Sequence, residues 1–117
     1  MFYEHAIEFF MRESEIERYF VWAVMSLGGV TYKFKSPTQR GVADRIACMP
    51  NGETWFVELK APKGRLAPLQ KIFAADAQRL RQNYACLWSK EGIDTWASHY
   101  DPTRTKPLTS YTLATGQ

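Results

Sequence analysis

Apolar residues recur along this chain with two different periods. Between residues 2 and 27 they return at spacings of three and four, as on one face of a helix, and residues 66–83 repeat that spacing. Other segments alternate with a period of two or form short apolar runs, which is typical of strands. The pattern predicts helices at 2–27, 66–83 and 91–98, and strands at 30–35, 42–49, 54–60 and 84–88.

Local signals sharpen the ends of several elements. Ser14 followed three residues later by Glu17 has the form of a capping box, so a second helix is expected to begin there after a short first one. The pair Gly28 and Gly29 ends it, as glycines beyond a last apolar turn do. Residues 50–53, with Pro, Asn and Gly, predict a tight turn between two strands.

The order of the predicted elements is α-β-β-β-α-β. This order indicates an α/β fold in which an antiparallel meander feeds a crossover helix into a fourth strand, giving a mixed sheet flanked by helices. A length of 117 residues fits one domain and leaves no room for a second core. Beyond Tyr100 the chain is rich in Pro and Thr, and we expect irregular structure with one edge strand near Tyr111.

The composition narrows the class of protein. Hydrophobic residues make up 45% and aromatic residues 15%, which excludes a disordered tail. No apolar run approaches the ~20 residues of a membrane span. The N-terminus lacks a basic stretch, which argues against a secretory signal. Cys48 and Cys86 stand among strand-like apolar residues and indicate reduced core cysteines, so we expect a cytoplasmic protein.

The formal net charge of +3 hides an uneven distribution. Residues 1–32 carry five acids and two bases, residues 33–90 carry eleven bases and four acids, and residues 91–117 carry two bases and three acids. The middle segment is therefore strongly basic. A basic face is what binding to phosphates requires, although a solvated surface explains the same charge equally well.

Charged side chains in two predicted strands call for an explanation, because an unpaired buried charge is costly. Strand alternation places Glu58 and Lys60 on one face of the strand at 54–60. If the turn at 50–53 closes a hairpin, Asp44 comes beside Glu58. Neighbouring carboxylates repel each other unless a cation lies between them, and Mg²⁺ prefers such oxygen ligands. With Lys60 beside an attacking water, this arrangement is typical of a metal-dependent phosphodiesterase.

The same residues also allow a structural interpretation. Asp44 or Glu58 could pair with Lys60 or Arg45 in an ion-pair ladder at a sheet edge. The spacing of the two acids and the lysine is a short pattern that arises by chance in many chains. From these residues alone, both interpretations stay open.

Two glutamates of the first helix are further candidates. Glu13 and Glu17 lie one turn apart on one helix face, so one of them could rim the carboxylate pair and bind a metal through water. Glu17 could equally serve the capping box with Ser14, and Glu13 could be a solvated residue before the helix.

Short motifs spread over most of the chain resemble one nuclease family. In chain order they occupy residues 13–17, 28–29, 33–37, 41–46, 56–62 and 69–70. Together they resemble the virus-type replication-repair nucleases (VRR-NUC) of the PD-(D/E)XK superfamily, over about residues 13–96. The resemblance implies a restriction-endonuclease-like core. Ala43 stands where this family usually has proline, and alanine can adopt the same extended backbone.

The resemblance also implies roles for individual residues. The implied ligands of Mg²⁺ or Mn²⁺ are Asp44, Glu58, the backbone carbonyl of Leu59, and Glu17 with Glu13 as the alternate. Lys60 would act on the attacking water, and the glutamine that opens the crossover helix corresponds to Gln70. The implied catalytic set is thus Asp44, Glu58, Lys60, Glu17 and Gln70.

Basic and polar residues around the loops that flank the carboxylates are candidates for contacts with DNA phosphates. The candidate set is Lys33, Lys35, Ser36, Arg40, Arg45, Lys63, Arg65 and Lys71. Each residue taken singly is more simply a solvated charge. Their grouping on both sides of one site is what favours nucleic acid.

We expect residues 13–99 to form the nuclease domain, residues 1–12 an extension that contributes a dimer contact, and residues 100–117 an irregular tail. The expected function is a Mg²⁺- or Mn²⁺-dependent endonuclease that cuts branched, Holliday-junction-like DNA as a homodimer, without a small-molecule cofactor or a membrane. By the resemblance, its place is the cytoplasm of a bacterial host, with a phage as one source. The alternatives are a non-catalytic DNA-binding module of the same fold and a basic protein whose charges form ion pairs.

Overall fold

The computed structural model describes residues 11–100. Its helices and strands follow the predicted order; most are shorter than predicted, and the last strand and last helix are shifted by one residue. They are α1 (Glu13–Ser26), β1 (Val30–Lys33), β2 (Arg45–Cys48), β3 (Thr54–Leu59), α2 (Pro68–Arg79), β4 (Asn83–Leu87) and α3 (Lys90–Ala97), followed by a 3₁₀ turn (Ser98–Tyr100). The expected dimer contact in residues 1–10 and the expected edge strand near Tyr111 lie outside the described residues.

The first described helix begins at Glu13, so the predicted capping box of Ser14 and Glu17 is wrong. The residue before the helix is Arg12, whose backbone N–H donates to the Glu15 carboxylate at 2.9 Å. Because Glu15 takes the capping role, Glu17 lies inside the helix with its side chain available to other partners. The helix ends where the glycine pair predicted, with Gly28 at a φ of +88°.

The four strands form one sheet in the order β1-β2-β3-β4. β1 and β2, and β2 and β3, are antiparallel, whereas β3 and β4 are parallel and are joined by α2. Cys48 lies opposite Thr54 and Arg45 opposite Val57, so the hairpin predicted through residues 50–53 is present in its expected register. Only the parallel pair needs a helical crossover, and α2 provides it.

The two faces of the sheet are covered by different helices. On one face, α1 and α3 enclose an apolar core whose largest fully buried side chains include Tyr19, Phe20, Ile16, Leu59 and Val57. On the other face, α2 lays Phe73 against Phe56 and Tyr84, with ring centroids 5.6 and 6.1 Å apart. The alternation within β3 therefore sends odd-numbered residues to the α1 side and even-numbered residues to the α2 side, as predicted.

Two expectations about individual residues fail. Cys48 is exposed at the end of β2, so it is not a core cysteine, while Cys86 is half-buried, and both are free thiols. β2 begins at Arg45 and not at residue 42, which leaves Asp44 in the segment that enters the strand. None of the helices within residues 11–100 is long and apolar enough to cross a membrane.

Candidate active site

The register of the β2–β3 hairpin brings Asp44 beside the end of β3. The pairing of Arg45 with Val57 places Asp44 one step further, level with Glu58. One oxygen of the Asp44 carboxylate, Oδ2, accepts a hydrogen bond from the backbone N–H of Leu59 at 2.9 Å. This bond holds Asp44 against β3 although Asp44 lies outside the strand itself.

Glu58 is the one acidic residue of the hairpin that is buried, with 1% of its surface exposed. Burial raises the pKa of this carboxyl to about 8. The negative charge of Asp44 and the hydrogen bond between the two carboxyls contribute to this rise, whereas Lys60 opposes it. At neutral pH the pair therefore favours a proton or a cation between its oxygens.

Lys60 follows the last residue of β3 and shares the face of Glu58. Its Nζ lies 3.7 Å from Glu58 Oε2, and only 14% of its side chain is exposed. The backbone N–H of Lys60 donates to the carbonyl of Leu87 at 3.0 Å, which extends the β3–β4 pairing by one bond. The ammonium is thus held near the carboxylates by the sheet itself.

Gln70, in the first turn of α2, contacts the same carboxylate oxygen as Lys60. Its Oε1 accepts a hydrogen bond from the backbone N–H of Ala67 at 2.8 Å, and its Nε2 donates to Glu58 Oε2 at 3.1 Å. The first bond closes the start of the helix and directs the amide nitrogen toward Glu58. The predicted glutamine is therefore brought into the site.

Gly41 allows the segment before Asp44 to lie against the start of α2. Its φ is +85°, in the left-handed region. A Cβ at this position would lie 2.6 Å from the backbone carbon and oxygen of Leu69. Only glycine satisfies both conditions, so this residue couples the Asp44 segment to the helix that carries Gln70.

The two helix glutamates have different surroundings in the structure. Glu17 was the first choice for the site, but its Oε2 pairs with Arg45 Nε at 2.8 Å and with Lys33 Nζ at 3.4 Å. Glu13 is the carboxylate whose pKa responds to the site. Burial and the negative charge of Asp44 raise this pKa, whereas Lys60 and the Ala61 backbone lower it. Glu17 is thus engaged with two basic side chains, and the pKa of the alternate, Glu13, responds to Asp44 and Lys60, so we favour Glu13 as the helix glutamate of the site.

The candidate DNA contacts differ in the exposure of their side chains. The Arg45 side chain is 17% exposed, pairs with Glu17 and donates to Thr31 Oγ1 at 3.2 Å, so its contacts are within the fold. Lys33 shares that ion pair with a more exposed side chain. The Ser36 hydroxyl accepts from the Gln39 backbone at 3.0 Å and shapes its loop. The exposed members of the set are Lys33, Lys35, Arg40, Lys63, Arg65 and Lys71.

A cavity of about 400 Å³ opens beside the site, between the loop before Asp44 and the start of α2. Its lining residues are Arg40, Gly41, Ala67, Pro68, Leu69 and Gln70. Gln70, which lines the cavity, also contacts Glu58, so the cavity lies next to the carboxylate group. It offers room for part of a ligand larger than an ion.

The donor set suits a hard divalent cation. Within residues 11–100, no three His, Cys, Asp or Glu side chains converge as a complete metal cage. The site offers two adjacent carboxylates, those of Asp44 and Glu58, and Mg²⁺ commonly binds through one or two carboxylates together with waters and substrate phosphate. Burial and the charge of Asp44 oppose the ionisation of Glu58, and a cation bound between the two carboxylates would relieve that opposition.

Comparison with known proteins adds independent information. The chain is 48% identical over 60 residues to "Putative nuclease p44" of Acyrthosiphon pisum secondary endosymbiont phage 1, a match that covers 51% of this chain and 64% of that protein. The chain thus matches less than two thirds of that relative's length. No family model matches the chain.

Among solved structures, the fold is similar to one described as "VRR_NUC domain". The TM-score is 0.70 at 25% sequence identity, and the similarity covers 75% of this chain and 96% of that one. The likeness extends over nearly the whole of the solved domain. The restriction-endonuclease-like α/β fold expected from the sequence is confirmed.

Proposed function

We propose that this chain, whose fold is that of a VRR-NUC domain, is a divalent-metal-dependent endonuclease that hydrolyses phosphodiester bonds in DNA. One observation carries the proposal: the buried carboxylate of Glu58 faces Asp44, Lys60 and Gln70 at one end of the sheet. A charge buried so deeply is costly unless a proton or a cation neutralises it, and a cation leaves the carboxylate ionised to bind it. The phage relative named a nuclease supports the same class of activity.

Asp44 and Glu58 would hold Mg²⁺ or Mn²⁺ together with the backbone carbonyl of Leu59, and Glu13 would contact a water of the metal. The bound metal supplies Lewis-acid polarisation of the phosphate and lowers the pKa of a bound water. The chain's own contribution is orientation. The Leu59 N–H fixes one oxygen of Asp44, and the Gln70 amide fixes one oxygen of Glu58.

Lys60 is the proposed catalytic group for the attacking water. Its ammonium lies beside Glu58 and is mostly withdrawn from bulk solvent. From that position the ammonium can orient the water or neutralise the negative charge that builds on the phosphate as the bond breaks, and after losing its proton the neutral amine can take one from the water.

We assign contacts with the DNA backbone to exposed basic side chains of the two loops and of α2, namely Lys35, Arg40, Lys63, Arg65 and Lys71. Contacts of this kind give affinity that falls with salt and carry no sequence information. The proposal includes a branched substrate and a homodimer in the cytoplasm, because two sites in one dimer suit the cutting of two strands at a junction.

The test is an assay of a four-way junction, a flap and a plain duplex with Mg²⁺, Mn²⁺ or EDTA. We expect metal-dependent cleavage that is lost in Asp44→Ala, Glu58→Ala and Lys60→Ala. Asp76→Asn, which alters an exposed carboxylate paired with Arg79 on α2, is the matched control and should cleave as the wild type does. Cleavage that survives in all three site variants contradicts the proposal.

The second candidate is a non-catalytic DNA-binding module with the same fold. The observation that favours it is the incomplete metal cage within residues 11–100. It predicts salt-sensitive binding of branched DNA without turnover in either metal. Binding without turnover by the wild type, and unchanged binding by Lys60→Ala, would select this candidate over the nuclease.

A further inference from the structure

We propose that Trp88 is a positioning residue for Lys60 and acts on it through Gly64. The inference rests on the proposed function, in which Lys60 is the catalytic group. Trp88 lies directly after β4 and is 39% exposed, so burial in the core does not account for the place of its indole. Its ring nitrogen Nε1 donates a hydrogen bond to the backbone carbonyl of Gly64 at 2.8 Å.

Gly64 belongs to the turn that follows Lys60. Its backbone N–H donates to the Ala61 carbonyl at 2.8 Å, which folds the chain back over the lysine. A Cβ on Gly64 would lie 3.1 Å from Lys60 Cβ and 3.3 Å from Lys60 Cδ. The backbone of Gly64 therefore packs against the aliphatic stem of the lysine, where a side chain would displace it.

Two consecutive residues of the β4 end hold Lys60 from both sides. The carbonyl of Leu87 accepts the Lys60 backbone N–H at 3.0 Å, and the indole of Trp88 fastens the turn that covers the lysine stem. A lysine side chain has several rotatable bonds, so a free one samples many positions. The fastened turn restricts the stem and keeps Nζ 3.7 Å from Glu58 Oε2.

The test uses Trp88→Phe, which keeps an aromatic ring and removes the N–H donor. The matched control is Trp55→Phe, which removes the indole donor to the Tyr100 hydroxyl near the start of β3, at the end of the strand remote from Lys60. Gly64→Ala is a second variant that moves the lysine stem without touching Trp88. Thermal melts of all three establish that they fold.

The first measurement is independent of catalysis. Acetylation of Lys60 by an amine-reactive ester is followed by mass spectrometry, with the exposed Lys35 as internal reference. Loss of one hydrogen bond should raise the Lys60 labelling rate about fivefold in Trp88→Phe, with a similar rise in Gly64→Ala and none in Trp55→Phe. Labelling of Lys60 at the wild-type rate in folded Trp88→Phe overturns the inference.

The second measurement is the steady-state rate of DNA cleavage. We expect kcat to fall about fivefold in Trp88→Phe while KM stays within about twofold, because only the placement of Lys60 changes. A raised KM with unchanged kcat overturns the inference, since it makes Trp88 a DNA contact. If the wild type does not cleave DNA but Lys60 labelling responds as expected, the nuclease proposal fails and the positioning role stands.

Discussion

Asp44 reaches across the hairpin and accepts the backbone N–H of Leu59 at 2.9 Å, so the aspartate is tied to the strand that carries Glu58. This contact gives Asp44 two effects of opposite sign on the metal-free protein. The hydrogen bond stabilises the hairpin, whereas the negative charge opposes the ionisation of Glu58. Substitutions that separate these two effects are the sharpest tests of the site.

Asp44→Asn should retain an oxygen acceptor for the Leu59 N–H and remove the charge. We expect a metal-free melting temperature equal to or above that of the wild type, because the repulsion with Glu58 is gone. Cleavage should fall by at least about a hundredfold, since even the loss of a residue that only orients a metal ligand lowers activity by up to about a hundredfold. Melts in EDTA and in Mg²⁺ beside a cleavage assay check both. A lower EDTA melting temperature for Asp44→Asn than for the wild type contradicts the assignment of charge repulsion, and one lower than that of Asp44→Ala contradicts the stabilising role of the hydrogen bond to Leu59.

The raised pKa of Glu58 predicts how metal-free stability depends on pH. Glu58 ionises near its ordinary value of 4.5 in the unfolded chain and near about 8 in the folded one. Between these values the folded state keeps the proton and the unfolded state loses it, so stability falls as pH rises from about 4.5 to about 8. Each ~1 kcal/mol lost lowers the melting temperature by roughly 4–8 °C.

Melts across this pH range in EDTA measure the effect. Glu58→Gln should flatten the curve, and Mg²⁺ should flatten it for the wild type by neutralising the carboxylate. The exposed Asp76→Asn serves as control and should follow the wild-type curve. A wild-type curve that is flat in EDTA would show that Glu58 ionises normally.

Gln70 should matter for metal binding more than for folding. Gln70→Ala removes the amide that holds Glu58 Oε2 and the acceptor for the Ala67 N–H. We expect the Mg²⁺ concentration for half-maximal cleavage to rise about 10–100-fold, as for residues that orient metal ligands. Gln78→Ala, at an exposed position on the same helix, is the control. Equal metal requirements for the two variants would remove Gln70 from the site.

The two helix glutamates should respond in opposite ways. Glu17→Gln leaves the half-buried Arg45 without its ion pair and should cost about 1–3 kcal/mol of stability with little change in turnover at saturating metal. Glu13→Gln should leave stability unchanged or raised and lower the cleavage rate, because Glu13 adds negative charge near Asp44. Chemical denaturation and rate measurements on both variants separate the roles, and a catalytic loss confined to Glu17→Gln would restore the original order.

Gly41 should tolerate no side chain. Gly41→Ala combines a φ of +85° with a Cβ 2.6 Å from the Leu69 backbone, and we expect a loss of roughly 1–3 kcal/mol together with reduced cleavage, because the start of α2 must shift. Gly52→Ala is a matched control, since Gly52 has a φ of +93° with nothing within 4 Å of a Cβ. Gly52→Ala should lose only the stability that a left-handed backbone costs a residue other than glycine, and its cleavage activity should be unchanged. Similar losses of activity in both variants would mean that contact with α2 is unimportant.

Much of the site was predictable from local rules. The period of two in β3 assigned Glu58 and Lys60 to one face, and the turn at residues 50–53 set the register that brings Asp44 level with Glu58. The glycine pair marked the end of α1 in the same way. These features depend on neighbours within a few residues, and backbone geometry alone determines them.

The helix glutamate could not be chosen in this way. Glu13 and Glu17 are one turn apart, so both occupy the same side of the helix at the level of sequence. Which of them meets Asp44 depends on where the helix axis crosses the sheet. That crossing is set by the packing of Ile16 and Phe20 on the strands, and it pairs Glu17 with Arg45 instead.

The sequence by itself therefore determined the order of elements, the faces of the strands and the pairing of Asp44 with Glu58, because these follow from the periodicity of side chains and from turn chemistry. Only the tertiary structure decided which distant groups meet. The pKa of Glu13 on α1 responds to Asp44, Gln70 reaches Glu58 from α2, and Trp88 donates a hydrogen bond to Gly64 across 24 residues of chain. Such contacts depend on helix placement and side-chain packing, which no local pattern encodes.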